Sequence, residues 1–168
     1  MKRKYKTALV WTFLIVGMFG FLWWAGQIQS SKASAVQQQG TRSVLVSDKN
    51  LYDFSTISMA NGLVKTIFKV TNPTDKDINV GKITTSCMCT NAYVLEGTSR
   101  KGPFGMPGHG IVPKANELIK AGETQDIEVV YDPAAHGPAG VGAIDRFVYL
   151  EDTNGGVLQL EIKARVTP

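Results

Sequence analysis

Residues 157–166 read Val157-Leu158-Gln159-Leu160-Glu161-Ile162-Lys163-Ala164-Arg165-Val166. Leu158, Leu160, Ile162, Ala164 and Val166 alternate with Gln159, Glu161, Lys163 and Arg165, so a period of two puts apolar groups on one face and charge on the other. That is a strand half buried in a sheet. Arg146 to Glu151 precedes it, separated by Asp152-Thr153-Asn154-Gly155-Gly156. Asn154-Gly155 tolerates positive φ, which predicts a hairpin reversal there.

The same period recurs upstream. Over Leu63 to Thr71, Val64, Phe68 and Val70 point inward and Lys65 and Lys69 outward, up to the turn signal Asn72-Pro73. Ile127, Val129 and Tyr131 form another alternating set, closed by Asp132-Pro133. No amphipathic helix is evident after residue 28, although Lys114 to Lys120 has room for a turn or two. Short strands separated by turn signals predict an all-β, antiparallel sandwich of immunoglobulin-like type. Antibody-type hallmarks are missing, because Trp11, Trp23 and Trp24 all precede the domain and two cysteines two residues apart cannot bridge two sheets.

The N-terminal part has a different character. Residues 1–6 hold Lys2, Arg3, Lys4 and Lys6, and residues 7–28 carry no formal charge. An apolar run of that length at about 1.5 Å per residue matches a hydrocarbon layer of about 30 Å. The basic tail predicts a cytoplasmic N-terminus, a single-pass anchor at 7–28 in the cytoplasmic membrane, and a domain in the periplasm or on the outer face. The competing reading is a signal peptide cleaved after Ala35, within Ala33-Ser34-Ala35. The retained anchor is favoured, because signal cores run only about 7–15 residues. Residues 29–43 are polar, aperiodic and read as a spacer, which puts the domain at 44–168.

The chain carries a net charge of +4, but without the four tail residues 14 basic side chains balance 14 acidic ones. A nucleic-acid partner is therefore not expected. There is no zinc-protease, nucleophile-elbow or phosphate-loop motif, so no catalytic residue is assigned.

Residues 97–113 break the strand rhythm. Gly102-Pro103-Phe104-Gly105-Met106-Pro107-Gly108-His109-Gly110 predicts a long Gly-rich loop, of the kind that carries function or merely connects.

The only cysteines lie in Thr84-Thr85-Ser86-Cys87-Met88-Cys89-Thr90. On an extended strand their side chains would share a face with Cα atoms about 6.6 Å apart, near the upper limit for a disulfide. A bridge would need a local kink and would close almost no loop. Three roles stay open: packing as small apolar groups, thiol redox chemistry in an oxidising compartment, or soft-metal binding. Thiolates select Cu(I) or zinc, and Met88 or Met106 with the imidazole of His109 would complete such a site. His136, in a second Gly- and Pro-containing loop, is the weaker candidate ligand.

Several segments together resemble a known family: Tyr52-Asp53-Phe54-Ser55-Thr56-Ile57, Phe68-Lys69-Val70-Thr71-Asn72, Thr85-Ser86-Cys87-Met88-Cys89-Thr90, Ala121-Gly122-Glu123 and Tyr131-Asp132-Pro133. Over about residues 50–166 they are similar to the bacterial domain of unknown function 1573 family. Met88 stands where that family usually has glycine, and the connection from Thr90 to Ala121 is longer than is common in it. The resemblance implies an immunoglobulin-like sandwich akin to Hydin and major sperm protein domains, and it implies no activity. The first functional expectation is thus a non-enzymatic, membrane-anchored module for protein binding or envelope assembly. The alternative is an extracytoplasmic copper-binding or thiol-redox protein using Cys87 and Cys89. With the anchor retained, mass spectrometry of the protein from membranes should return the intact 18.2 kDa chain; a species beginning after Ala35 would establish cleavage.

Overall fold

The computed structural model describes residues 41–168, which form two β-sheets. In chain order the strands are β1 (Thr41–Arg42), β2 (Val46–Ser47), β3 (Leu51–Ser58), β4 (Val64–Thr71), β5 (Ile78–Thr85), β6 (Thr90–Glu96), β7 (Ser99–Phe104), β8 (Glu117–Ile119), β9 (Thr124–Tyr131), β10 (Gly142–Asp152) and β11 (Gly156–Thr167). The first sheet runs β1-β11-β10-β5-β8, with β3 also paired to β11, and the second runs β2-β4-β9-β6-β7. The expected all-β, two-sheet architecture is present.

The β10–β11 hairpin is as its alternation predicts. Leu150 faces Leu158, Val148 faces Leu160 and Arg146 faces Ile162. Leu158, Leu160, Ile162, Ala164 and Val166 are all buried. Gly155 takes φ 86° in the reversal, a region that glycine enters without steric cost. Asp152 organises the turn by accepting Asn154 N–H and Gly156 N–H, each at 2.9 Å. At Gly156 a Cβ would run into the Asp152 carboxylate and Ser43 Cα, so only glycine fits there. Phe68, Val70, Ile127, Val129 and Tyr131 of the second sheet are buried and share one core with the β11 row. Asn72, at the predicted turn, is fully buried and satisfied, its Nδ2 donating to the carbonyls of Lys76 at 2.8 Å and Ile119 at 2.9 Å.

Four expectations need correction. Thr41 and Arg42 fall within the expected spacer 29–43, yet they pair with Gly156 and Val157. Ser43, in the same segment, is buried, with its Oγ donating to Asp152 Oδ2 at 2.7 Å. Backbone pairing is indifferent to side-chain polarity, so a polar segment can cover an open strand edge. Second, the first sheet is mixed, because β1 and β3 run parallel to β11. Each is followed by a strand of the other sheet, so no hairpin dictates an antiparallel partner.

Third, the loop expected at 97–113 is shorter. Ser99–Phe104 forms β7 against β6, with Ala92 facing Phe104 and Val94 facing Lys101. Pro103, after a cis peptide, is tolerated because β7 is an edge strand with no further ladder to serve. Phe104 enters the core fully buried. Fourth, in place of a helical turn at Lys114–Lys120, Glu117–Ile119 pairs with β5. Helical structure among the described residues is limited to short 3-10 turns at Met59–Asn61 and Gly137–Gly140.

Among the described residues no helix is long and apolar enough to cross a membrane. The expected tail at 1–6, the expected anchor at 7–28 and most of the expected spacer at 29–43 lie outside the described residues.

Leu160 is fully buried on a strand paired on both sides. Leu160→Ala should therefore lower unfolding free energy by about 3 kcal/mol, read from urea denaturation.

Candidate functional site

The site begins where the chain leaves one sheet for the other. β5 belongs to the first sheet and β6 to the second, and the residues between them, Ser86 to Cys89, make the crossing. Thr90 N–H donates to Cys87 O at 3.1 Å, closing a four-residue turn with Met88 and Cys89 at its centre. Thr85 Oγ lies 3.0 Å from Cys87 O and 2.9 Å from Thr90 O and holds the turn from below. Ser86 locks it to β10: Ser86 N–H donates to Phe147 O and Phe147 N–H donates to Ser86 Oγ, each at 2.9 Å.

Cys87 and Cys89 are therefore not on an extended strand. The turn shortens their Cα separation to 5.3 Å, inside the usual disulfide range, and the two sulfurs are bonded. The kink that a bridge requires comes from the turn itself. Cys89 is 1% and Cys87 9% exposed, whereas Met88 at the tip is 48% exposed.

Two cationic or ionisable groups converge on this disulfide, one from the turn after β9 and one from β10. β9 ends at Tyr131, which faces Thr90, and the following residues turn back: Asp132 N–H donates to Cys89 O at 2.8 Å, and Asp132 Oδ1 accepts Ala134 N–H at 2.9 Å. This turn carries His136, exposed to solvent, so that its Nε2 stands 3.2 Å from Cys87 Sγ. From the other side, the β10–β5 register pairs Val148 with Thr85. Continued by two residues, it sets Arg146 opposite Cys87, and Arg146 Nε–H donates to Cys89 Sγ at 3.4 Å. Each sulfur thus has its own polar neighbour. Cys89 N–H, 3.4 Å from Cys87 Sγ, and Thr90 Oγ, 3.7 Å from Cys89 Sγ, complete the surroundings. Burial pushes the Tyr131 phenol above its ordinary pKa; the Arg146 charge opposes this and Asp132 adds to it.

The ligand atoms of Cys87, Cys89 and His136 lie within 4.8 Å of one another. His109, the imidazole expected to join the cysteines, is exposed in the 105–116 loop and is not in this group. The loop does start nearby, since Gly105 O accepts Thr85 N–H at 3.2 Å, and half-buried Met106 follows it. The sequence ranks His136 below His109 as a ligand and gives Arg146 no mark of a site residue. Their approach depends on two strand registers, Thr90 to Tyr131 and Val148 to Thr85. No local spacing reveals either.

No protein-family model and no curated protein matches the chain. Among solved structures, a protein of unknown function from Porphyromonas gingivalis W83 is similar with a TM-score of 0.53 at 12% identity, covering 79% of this chain and 51% of that one. A family 123 glycoside hydrolase from Clostridium perfringens gives 0.48 at 8% identity, covering 70% of this chain and 23% of that one. The secreted serine protease VesC from Vibrio cholerae gives 0.47 at 14% identity, covering 79% and 25%. The chain thus spans about half of the first of these proteins and about a quarter of the other two. The first likeness supports the fold alone.

Because the bridge spans only one intervening residue, it restrains the unfolded chain little, on the order of 1.5 kcal/mol by loop entropy. Reduction should leave the circular dichroism spectrum unchanged and lower unfolding free energy by no more than about 2 kcal/mol in urea.

Proposed function

We propose that this chain is an immunoglobulin-like module held at the outer face of the cytoplasmic membrane by residues 7–28, whose Cys87–Cys89 pair exchanges its disulfide with thiols of envelope proteins. The two-sheet fold supports the module, and the export expected from residues 1–28 supports the setting. The observation that carries the chemistry is the division of labour at the sulfurs: an exposed imidazole at 3.2 Å from Cys87 Sγ and a guanidinium N–H at 3.4 Å from Cys89 Sγ.

A disulfide is opened by a thiolate, and the rate depends on access to the attacked sulfur and on the stability of the departing one. Cys87 is the more accessible residue and Cys89 the deeper one. An incoming protein thiol gives its proton to the His136 imidazole, and its thiolate attacks Cys87 Sγ. The Cys87–Cys89 bond breaks, and its electron pair leaves on Cys89 Sγ, where the Arg146 charge stabilises it. A second thiol of the substrate then attacks its own sulfur in the mixed disulfide and releases Cys87. The substrate becomes a disulfide, and two electrons and two protons end on Cys87 and Cys89. In reverse, Cys87 is the nucleophile and Cys89 resolves. The absence of conventional hydrolytic motifs is consistent with a pair that works on sulfur alone, and the protein partner expected from the sequence becomes the exchange substrate.

Trapping in intact cells tests this. Cys89→Ser removes the resolving thiol and should accumulate mixed disulfides between Cys87 and envelope proteins, seen as reductant-sensitive adducts on gels. Cys87→Ser should trap at least about tenfold less, and His136→Ala should slow reduction of the purified pair by dithiols about tenfold or more. A pair that no thiol reduces without denaturant, or equal trapping by both serine variants, would refute the proposal.

A further inference from the structure

The same turn has a second use once the bridge is open. We infer that, in the reduced protein, Cys87, Cys89 and His136 form a three-coordinate Cu(I) site; this rests on the reading above that the pair is reducible. The donor set is two thiolates and one imidazole, soft and borderline ligands that suit Cu(I). Their ligand atoms already lie within 4.8 Å of one another, and the turn fixes the two cysteines at a Cα separation of 5.3 Å. Opening the S–S bond lets the sulfurs separate around an ion without moving the backbone that carries them.

The choice of ion follows from charge and ligand number. Two thiolates and one Cu(I) leave a single negative charge, which the Arg146 guanidinium, 3.4 Å from Cys89 Sγ, balances. A divalent ion would make the centre neutral and leave that guanidinium against a metal cation with no negative charge to offset it. Zinc also favours four protein ligands in a closed structural site, and the cluster supplies three. Cys89 is shielded from solvent and His136 stands at the surface, so the imidazole closes the site on its open side. Binding releases the two thiol protons to solvent and changes no oxidation state. The oxidised turn has no thiolate to offer, so copper binding and the disulfide exclude one another.

The 168-residue chain in mild detergent, reduced and freed of reductant without oxygen, tests this by thiol counting and Cu(I) competition against a chromogenic chelator. The expected result is two thiols, one Cu(I) bound, an ultraviolet thiolate-to-copper charge-transfer band, and no binding by the oxidised protein. His136→Ala should weaken binding at least about tenfold, the lower bound for losing even an outer-shell partner. His136→Met, which restores a soft donor, should recover most of that loss, and the double change Met106→Ala with His109→Ala should leave affinity unchanged. Two titratable thiols with no copper bound, or with affinity unmoved by His136→Ala in a protein of unaltered circular dichroism, overturns the copper site and leaves disulfide exchange standing. Fewer than two thiols after reduction overturns both.

Discussion

Burial of one face of β11 is the constraint from which the rest of the domain follows. Its five apolar side chains lose contact with water only if a second sheet covers them, and its backbone is satisfied only if both edges are paired. β10 takes one edge through the hairpin, and β1 and β3 divide the other between them. β10 in turn recruits β5. The cysteine turn therefore stands two strands away from β11, at the end of the β10–β5 ladder.

The location of the cysteines at a crossing between sheets explains the site better than their spacing does. On a regular strand, residues two apart are held at a fixed separation and face a flat neighbouring row. In the β5–β6 turn they are drawn together, and two neighbouring segments each contribute one side chain: Arg146 from within β10 and His136 from the turn after β9. Elements that diverge elsewhere in a two-sheet fold approach each other at such a crossing. Charged and ionisable groups can reach buried sulfur there without entering the hydrophobic core, where an unpaired charge would be costly.

The two proposed activities use one set of atoms in two oxidation states. The features that favour exchange, a departing thiolate stabilised by Arg146 and an imidazole beside Cys87, also favour capture of a monovalent soft ion by the reduced form. Both depend on thiolate character, which the neighbouring Arg146 and His136 favour at sulfurs that otherwise pack at the margin of the hydrophobic core.

Alternation determined that the domain is built of strands, where β11, β4 and β9 run, and which faces they bury, because a period of two maps directly onto the two faces of a sheet, while the Asn154-Gly155 signal placed β10 as the hairpin partner of β11. Turn signals at Asn72-Pro73, Asp132-Pro133 and Asn154-Gly155 were legible for the same local reason. Strands lacking alternation were not: Ser99–Phe104 was hidden by its glycine and proline, and Thr41–Arg42 by its polarity, since each is held by backbone pairing to an edge. The two cysteines were visible as a candidate site, but whether they lay apart on a strand or bonded in a turn was not. Tertiary structure alone decided that, and it chose His136 over His109, because a ligand contributed by a distant segment is selected by strand register and not by any spacing along the chain.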